Sequence, residues 1–232
     1  MTYNLKNEEE VKEYIKNLGT EYRFGCFSEK KPEVCHLLGD YLEAINQDFD
    51  KAGKIYKVNC DNSNFGRSCF KIGNYFLAGK GGLQKSDSKA IEYYEKGCEL
   101  NDFDSCFRGG VISFLSSKSK SPIRTLKQSV DLLTKGCEGK NKDACFHLSS
   151  LHLVGATSGT EEICEDMAKA FHYAVKACEL GNIPACANVS TMYRKGEGVE
   201  QNSGESEKYK KLAIEMQKEM EYEEGLIFQQ AV

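Results

Sequence analysis

Tryptophan is absent from this chain, and only 3 of its 232 residues are proline. So few helix breakers leave long stretches free to be helical. No apolar run approaches the roughly 18 residues that a membrane-spanning helix needs. An excess of positive charge is also missing. Lys and Arg total 31 against 35 Asp and Glu, a formal charge of −4, which gives no support to binding nucleic acid or an anionic membrane. No Cys-x-x-Cys, Walker loop, dinucleotide fingerprint or His-Glu-x-x-His occurs, which removes the commonest sequence signatures of redox, nucleotide and zinc-hydrolase chemistry. Ser-x-x-Lys appears at Ser28, Ser68, Ser86 and Ser117. That is near chance for a chain rich in both residues, and no Lys-Thr-Gly accompanies it, so a serine active site of the penicillin-binding type is poorly supported.

What the chain has in excess is cysteine, 11 residues. Ten fall into neighbouring pairs: Cys26 with Cys35, Cys60 with Cys69, Cys98 with Cys106, Cys137 with Cys145, and Cys178 with Cys186. Seven or eight residues separate the members of each pair, and the first cysteines of successive pairs lie 34, 38, 39 and 41 residues apart. A fixed unit at that period marks a repeat array. The spacing fits no zinc-ligand pattern, so disulfides are favoured over metal. Two cysteines flanking a turn of about six residues can face each other at the roughly 4.4–6.8 Å between Cα atoms that a disulfide tolerates. Each bond would staple one unit to the next. Cys164 is left over as a free thiol, among Glu161, Glu162, Glu165 and Asp166, whose negative charges blunt its reactivity.

Between the pairs the residues alternate between two helical segments. Val34 to Leu42, Ser68 to Leu77 and the stretches opening at Ser105, Ala144 and Ala185 begin an A helix. Phe49 to Asn59, Lys89 to Gly97, Ser129 to Gly136, Ala168 to Ala177 and Glu205 to Glu224 form the B helices. Small residues recur where helices must approach closely: Gly39 and Gly73 on A, Ala52, Ala90 and Ala170 on B. Gly79, Gly81, Gly82, Gly196 and Gly198 mark A-to-B turns that require positive φ. Asn7 to Leu18 reads as an amphipathic capping helix, with Val11, Tyr14, Ile15 and Leu18 on one face. Ser116 to Thr125 and Gly155 to Asp166 read as polar loops. The expected fold is all-α, an α-solenoid of TPR-like helix-turn-helix repeats, because one unit alone cannot bury its apolar stripe. The expected divisions are residues 1–32 (capping helix and a link carrying the first cysteine), repeats at 33–66, 67–103, 104–142, 143–183 and 184–219, and a C-terminal tail at 220–232.

The pattern Ala/Ser-Cys-Phe-x-x-Gly-x-x-Tyr, then Gly-x-Gly, then Lys-Ala-x-x-Tyr-Tyr-x-Lys-Gly-Cys resembles the Sel1-like repeat, from Glu33 to about Glu219. The third unit departs most, with Phe114 in place of the tyrosine and no Gly-x-Gly turn. More narrowly, Glu8-Glu9-Glu10-Val11-Lys12, the early pair Cys26/Cys35, Asp40-Tyr41-Leu42-Glu43, Asn59-Cys60 and Gly79-Lys80-Gly81-Gly82-Leu83 resemble the cytochrome c oxidase assembly factors built on that repeat. Secreted bacterial cysteine-rich Sel1-like proteins share the later pairs but not the first 45 residues.

The resemblance implies a non-enzymatic scaffold that assists assembly of respiratory-chain complex IV. It would bind protein partners on its helical surface and be folded by the oxidative import machinery of the mitochondrial intermembrane space. The first nineteen residues carry neither an apolar signal core nor an Arg-rich transit pattern, which agrees with that location. A monomer with no membrane span and no cofactor is expected. Two alternatives stand beside it. One is a thiol–disulfide oxidoreductase or haem-handling factor, with His36 and His147 as axial ligands. The other is a secreted repeat enzyme of β-lactamase type. His36 and His147 occupy positions where other units carry Phe70, Phe107 and Ala187, which favours packing over ligation.

Overall fold

The computed structural model describes residue 4, residues 6–117 and residues 123–230, the last eight through their backbone alone. Among the described residues the elements are α1 (Glu8–Phe27), α2 (Pro32–Ala44), α3 (Phe49–Ser63), α4 (Gly66–Ala78), α5 (Asp87–Glu99) and α6 (Phe103–Ser117). There follow α7 (Leu126–Glu138), α8 (Lys142–Val154), β1 (Ala156–Ser158), β2 (Glu161–Ile163), α9 (Met167–Glu179), α10 (Ile183–Lys195) and α11 (Ser203–Gln230). The chain divides into two compact units, Met1–Ser105 and Cys106–Val232.

Local signals set the helix ends. The side chains of Asn7, Asp48, Ser86, Asn141, Asp166 and Asn182 each accept a hydrogen bond from a backbone N–H in the first turn of the helix they precede. Thr125 and Gln128 form a reciprocal capping box at α7. These caps satisfy amide groups that would otherwise lack partners. Every turn between paired cysteines contains a residue with positive φ: Lys30, Asn64, Asn101, Lys140 and Gly181. Three of these turns close with the same bond. Asp102 N donates to Gly97 O, Asn141 N to Gly136 O and Asn182 N to Ala177 O, all at 2.9–3.0 Å. These are the three pairs separated by seven residues; in the two pairs separated by eight, Lys31 N donates to Gly25 O and Phe65 N to Asn59 O, one residue further back. The five loop glycines at 79, 81, 82, 196 and 198 all have positive φ.

In the first unit, α1 to α5 pack each on its neighbour. The core holds Leu38, Tyr56, Ile72, Ile91 and Tyr94, each at most 1% exposed. Gly39 lies against the ring of Tyr56, where an added Cβ would come within 2.3 Å of Cε1. Gly73 meets Tyr94 in the same way, at 2.7 Å. Each tyrosine also donates to the residue after its glycine: Tyr56 to Asp40 Oδ1 at 2.6 Å, and Tyr94 to Asn74 Oδ1 at 2.7 Å. Glycine on A and tyrosine on B therefore form a repeated lock. In the second unit, α7 to α11 pack in sequence around Leu133, Leu148, Ala170, Ala174, Val189 and Met192. Ala52, Ala90 and Ala170 are fully buried.

Three segments differ from the sequence reading. The stretch after Leu18 is not a link. α1 continues to Phe27, because Gly19 and Gly25 are contact points for Tyr41 and Val34 of α2 rather than helix breakers. The loop at Gly155 to Asp166 is a β-hairpin, with Ala156 opposite Ile163 and Ser158 opposite Glu161. It is anchored by Glu161, whose carboxylate accepts the backbone N–H of Leu126 at 2.6 Å, at the start of α7. The final helix also runs on past Gly225 to Gln230. The side chains of Leu226, Ile227 and Phe228 lie outside the described residues, as does most of the loop between α6 and α7.

Candidate functional site

A polar cluster in the first unit was not foreseen from the sequence. Asp40 and Glu43 lie one turn apart on α2 and face Lys71 on α4. Lys71 Nζ is 2.9 Å from Asp40 Oδ1 and 2.9 Å from Glu43 Oε2. The Tyr56 hydroxyl donates to Asp40 and also reaches Glu43 Oε2 at 3.2 Å. Lys80 Nζ adds a contact to Glu43 at 3.5 Å and sits over the ring of Phe49 at 3.6 Å. Burial pushes the Asp40 carboxyl up, but hydrogen bonds from Tyr56 and Lys71 outweigh it and hold the group below its ordinary range. Glu43 is lowered by the same balance, with Lys71 as the main counterweight to burial. Burial pulls Lys71 down, yet its two carboxylate partners leave it raised. The result is a fixed, charged surface bridging two A helices. Beneath it Tyr75 is 2% exposed, and among the described residues its hydroxyl has no hydrogen-bond partner. The sequence signal was carboxylates at i and i+3 on one A helix with a lysine in the next.

The cysteines sit at the helix turns. Cys26–Cys35, Cys60–Cys69, Cys137–Cys145 and Cys178–Cys186 are disulfides with Cα separations of 4.5, 4.8, 4.6 and 4.7 Å. Cys98 and Cys106 are disulfide-bonded as well. Nine of these ten cysteines are at most 7% exposed; only Cys35 is half-buried. Thiol exchange requires access to a sulfur, so most of these bonds are closed to a partner while the fold is intact. Cys164 is free and exposed, just beyond β2.

The histidines are packing residues. His36 is 7% exposed; its Nδ1 is 3.0 Å from Ser68 Oγ and its Nε2 is 3.6 Å from Asp40 Oδ2. Its ring lies against Tyr56 and Phe65, and burial lowers its pKa. Ligation of haem iron would break these contacts. His147 packs on Phe107, with centroids 5.3 Å apart, and burial lowers its pKa too. The haem-handling alternative gains no support from either position. Ser68, of one Ser-x-x-Lys, is fully buried and also accepts from Asn59 Nδ2 at 2.9 Å, so its hydroxyl is no exposed nucleophile. Among the described residues no group of His, Cys, Asp and Glu could hold a metal ion, and no helix is long and apolar enough to cross a membrane.

Comparison with known proteins gives a consistent result. The family described as Sel1 repeat matches residues 66–102, 142–182 and 183–217. The "Cytochrome c oxidase assembly factor 7 homolog" of Drosophila melanogaster is 48% identical, over 100% of this chain and 98% of that protein. "Cytochrome c oxidase assembly factor 7" of Xenopus tropicalis is 40% identical, over 92% of this chain and 91% of its own length. Among solved structures, a Sel1 repeat protein from Oxalobacter formigenes superposes with a TM-score of 0.69 at 19% identity. It covers 89% of this chain and 83% of the other, and that likeness speaks for the fold alone. The repeat scaffold and the assembly-factor relatives together point to a non-enzymatic role.

Proposed function

Since the chain belongs to the cytochrome c oxidase assembly factor 7 family of Sel1-repeat proteins, we propose that it is a scaffold assisting assembly of respiratory-chain complex IV. The observation that carries this reading is the 48% identity to the fly relative along the whole chain. Two features of the molecule agree with it. The disulfides lie at helix turns and most are buried, so they stiffen the scaffold rather than offer thiols for exchange. The surface carries a pre-arranged charged cluster at Asp40, Glu43 and Lys71, and protein recognition uses rigid polar groups of this kind.

The same features support the reading of where it acts. Stable disulfides need an oxidising compartment, and a factor for an inner-membrane oxidase needs contact with that membrane's surroundings. The mitochondrial intermembrane space meets both conditions, with its oxidative import machinery forming the bonds during folding and the mature chain acting as a monomer. The experiment is removal of the gene from its own cells, followed by native electrophoresis and oxidase activity. Loss of assembled complex IV, restored by the wild-type chain, is expected. Normal complex IV in its absence would overturn the reading. Protease protection in swollen and intact mitochondria tests the compartment, and light scattering tests the monomer.

A further inference from the structure

Between α1, α2 and α3 lies a groove of about 340 Å³. Its floor is Leu38 and Leu42, one turn apart on α2 and 1% and 6% exposed. Phe27 of α1 and Ile55 of α3 form its walls, and Arg23 and Lys54 stand at its rim. Phe27 is 60% exposed, its neighbour Phe24 61%, and Val58, one turn beyond Lys54 and Ile55 on α3, 56%. The volume suits one or two large apolar side chains. Exposed aromatics beside a preformed apolar depression mark an interaction surface.

The rim decides what kind of partner fits. Among the described residues Arg23 and Lys54 form no ion pair, whereas Lys51 beside them is paired with Asp48 at 2.8 Å. Three cations, Arg23, Lys51 and Lys54, and no carboxylate line an apolar trough on a chain whose net charge is −4. We propose that this groove docks an acidic amphipathic helix of a partner protein. Leucine or phenylalanine at i and at i+3 or i+4 enters the trough, and aspartate or glutamate on the flanks meets Arg23 and Lys54. A bilayer would touch the protruding Phe24 and Phe27 but could not enter a concave floor, so a helix fits the shape better than a membrane. The proposal rests on the scaffold reading for the existence of a protein partner and adds the partner's chemistry and its place on the fold.

The test uses the full oxidised chain and a fluorescent synthetic helix of about four turns with a Leu/Phe stripe and glutamate elsewhere. The control peptide keeps the stripe and replaces glutamate by lysine. Anisotropy should show micromolar binding of the acidic peptide, weakened at least about tenfold for the lysine peptide. The double change Arg23→Glu, Lys54→Glu should weaken the acidic peptide by at least about the same factor. Phe27→Ser should weaken both peptides. All three side chains are exposed, and unchanged thermal melting verifies that the variants fold. Bound acidic peptide should slow amide exchange in α1 to α3. Equal binding of the two peptides, binding unaffected by the variants, or association only with anionic phospholipid vesicles would each overturn the proposal. Failure here with complex IV still dependent on the chain would remove the groove and leave the scaffold reading standing. Acidic-peptide binding without that dependence would do the reverse.

Discussion

Replacing Gly39 by alanine puts a methyl group 2.3 Å from Tyr56 Cε1, 2.7 Å from Cζ and 2.8 Å from Cδ1. Carbon atoms rest at roughly 3.5–4.0 Å, so the ring must retreat by more than about 1 Å. It has little freedom to do so. Tyr56 is fully buried, its hydroxyl is bound to Asp40 and Glu43, and its ring lies edge-on to Tyr75 at 5.8 Å. Overpacking of this kind costs about 1–3 kcal/mol. A hydrogen bond to a charged group, lost if the ring moves, adds about 1.5–3 kcal/mol. Against these, alanine is favoured over glycine in a helix by about 1 kcal/mol. The net expectation is a loss of about 2 kcal/mol or more. Urea unfolding followed by circular dichroism measures it, with an unchanged slope showing that the native surface is preserved. Gly53→Ala, whose Cβ would meet Tyr75 Cδ1 at 3.1 Å, should cost clearly less. A Gly39→Ala protein within about 0.5 kcal/mol of the wild type would refute the lock between A-helix glycine and B-helix tyrosine.

Other expectations concern protons, thiols and caps. Burial lowers the pKa of His36, so its neutral form is favoured by folding; that stability is complete above about pH 6.5, the unfolded value, and is lost as pH falls toward the folded one. His36→Phe should therefore flatten the fall in melting temperature between about pH 7.5 and about pH 5, and an unchanged slope would count against it. Asp40 and Glu43 are held low, so they stabilise the fold above about pH 4 and lose that contribution only as pH drops through their folded values, where Lys71→Met should remove most of the effect. Because Cys35 alone among the paired cysteines is half-buried, graded reduction followed by alkylation and peptide mapping should open Cys26–Cys35 before the other bonds. Simultaneous loss of all pairs would mean that global unfolding controls access. Thr125→Ala, which breaks the capping box of α7, should lower stability by about 1 kcal/mol, read from the same urea curves.

The parts of the molecule that were legible in the sequence are those enforced by repetition. Paired cysteines, loop glycines with positive φ and buried alanines on B helices recur because every turn and every crossing solves the same steric problem. What was hidden lacks that repetition. Gly19 and Gly25 look like a break, yet they sit where Tyr41 and Val34 press against α1, a contact visible only after α2 is placed. The hairpin has strands of three residues, too short for alternation to register, and its anchor is the tertiary bond from Leu126 N to Glu161. The Asp40–Glu43–Lys71 cluster joins residues about thirty apart in sequence, brought together because α2 and α4 present equivalent faces. The groove likewise depends on three helices at once, and each of its residues alone reads as ordinary surface or core.

The cysteines act as structural staples, and a thiol count on protein isolated without reductant tests that most directly. Alkylation, intact mass and peptide mapping should find one free thiol, at Cys164, and five linked neighbouring pairs. Several free thiols in the native protein, or a pair other than Cys26–Cys35 exchanging with added thiols while the fold stays intact, would contradict the stapled scaffold and favour a redox role.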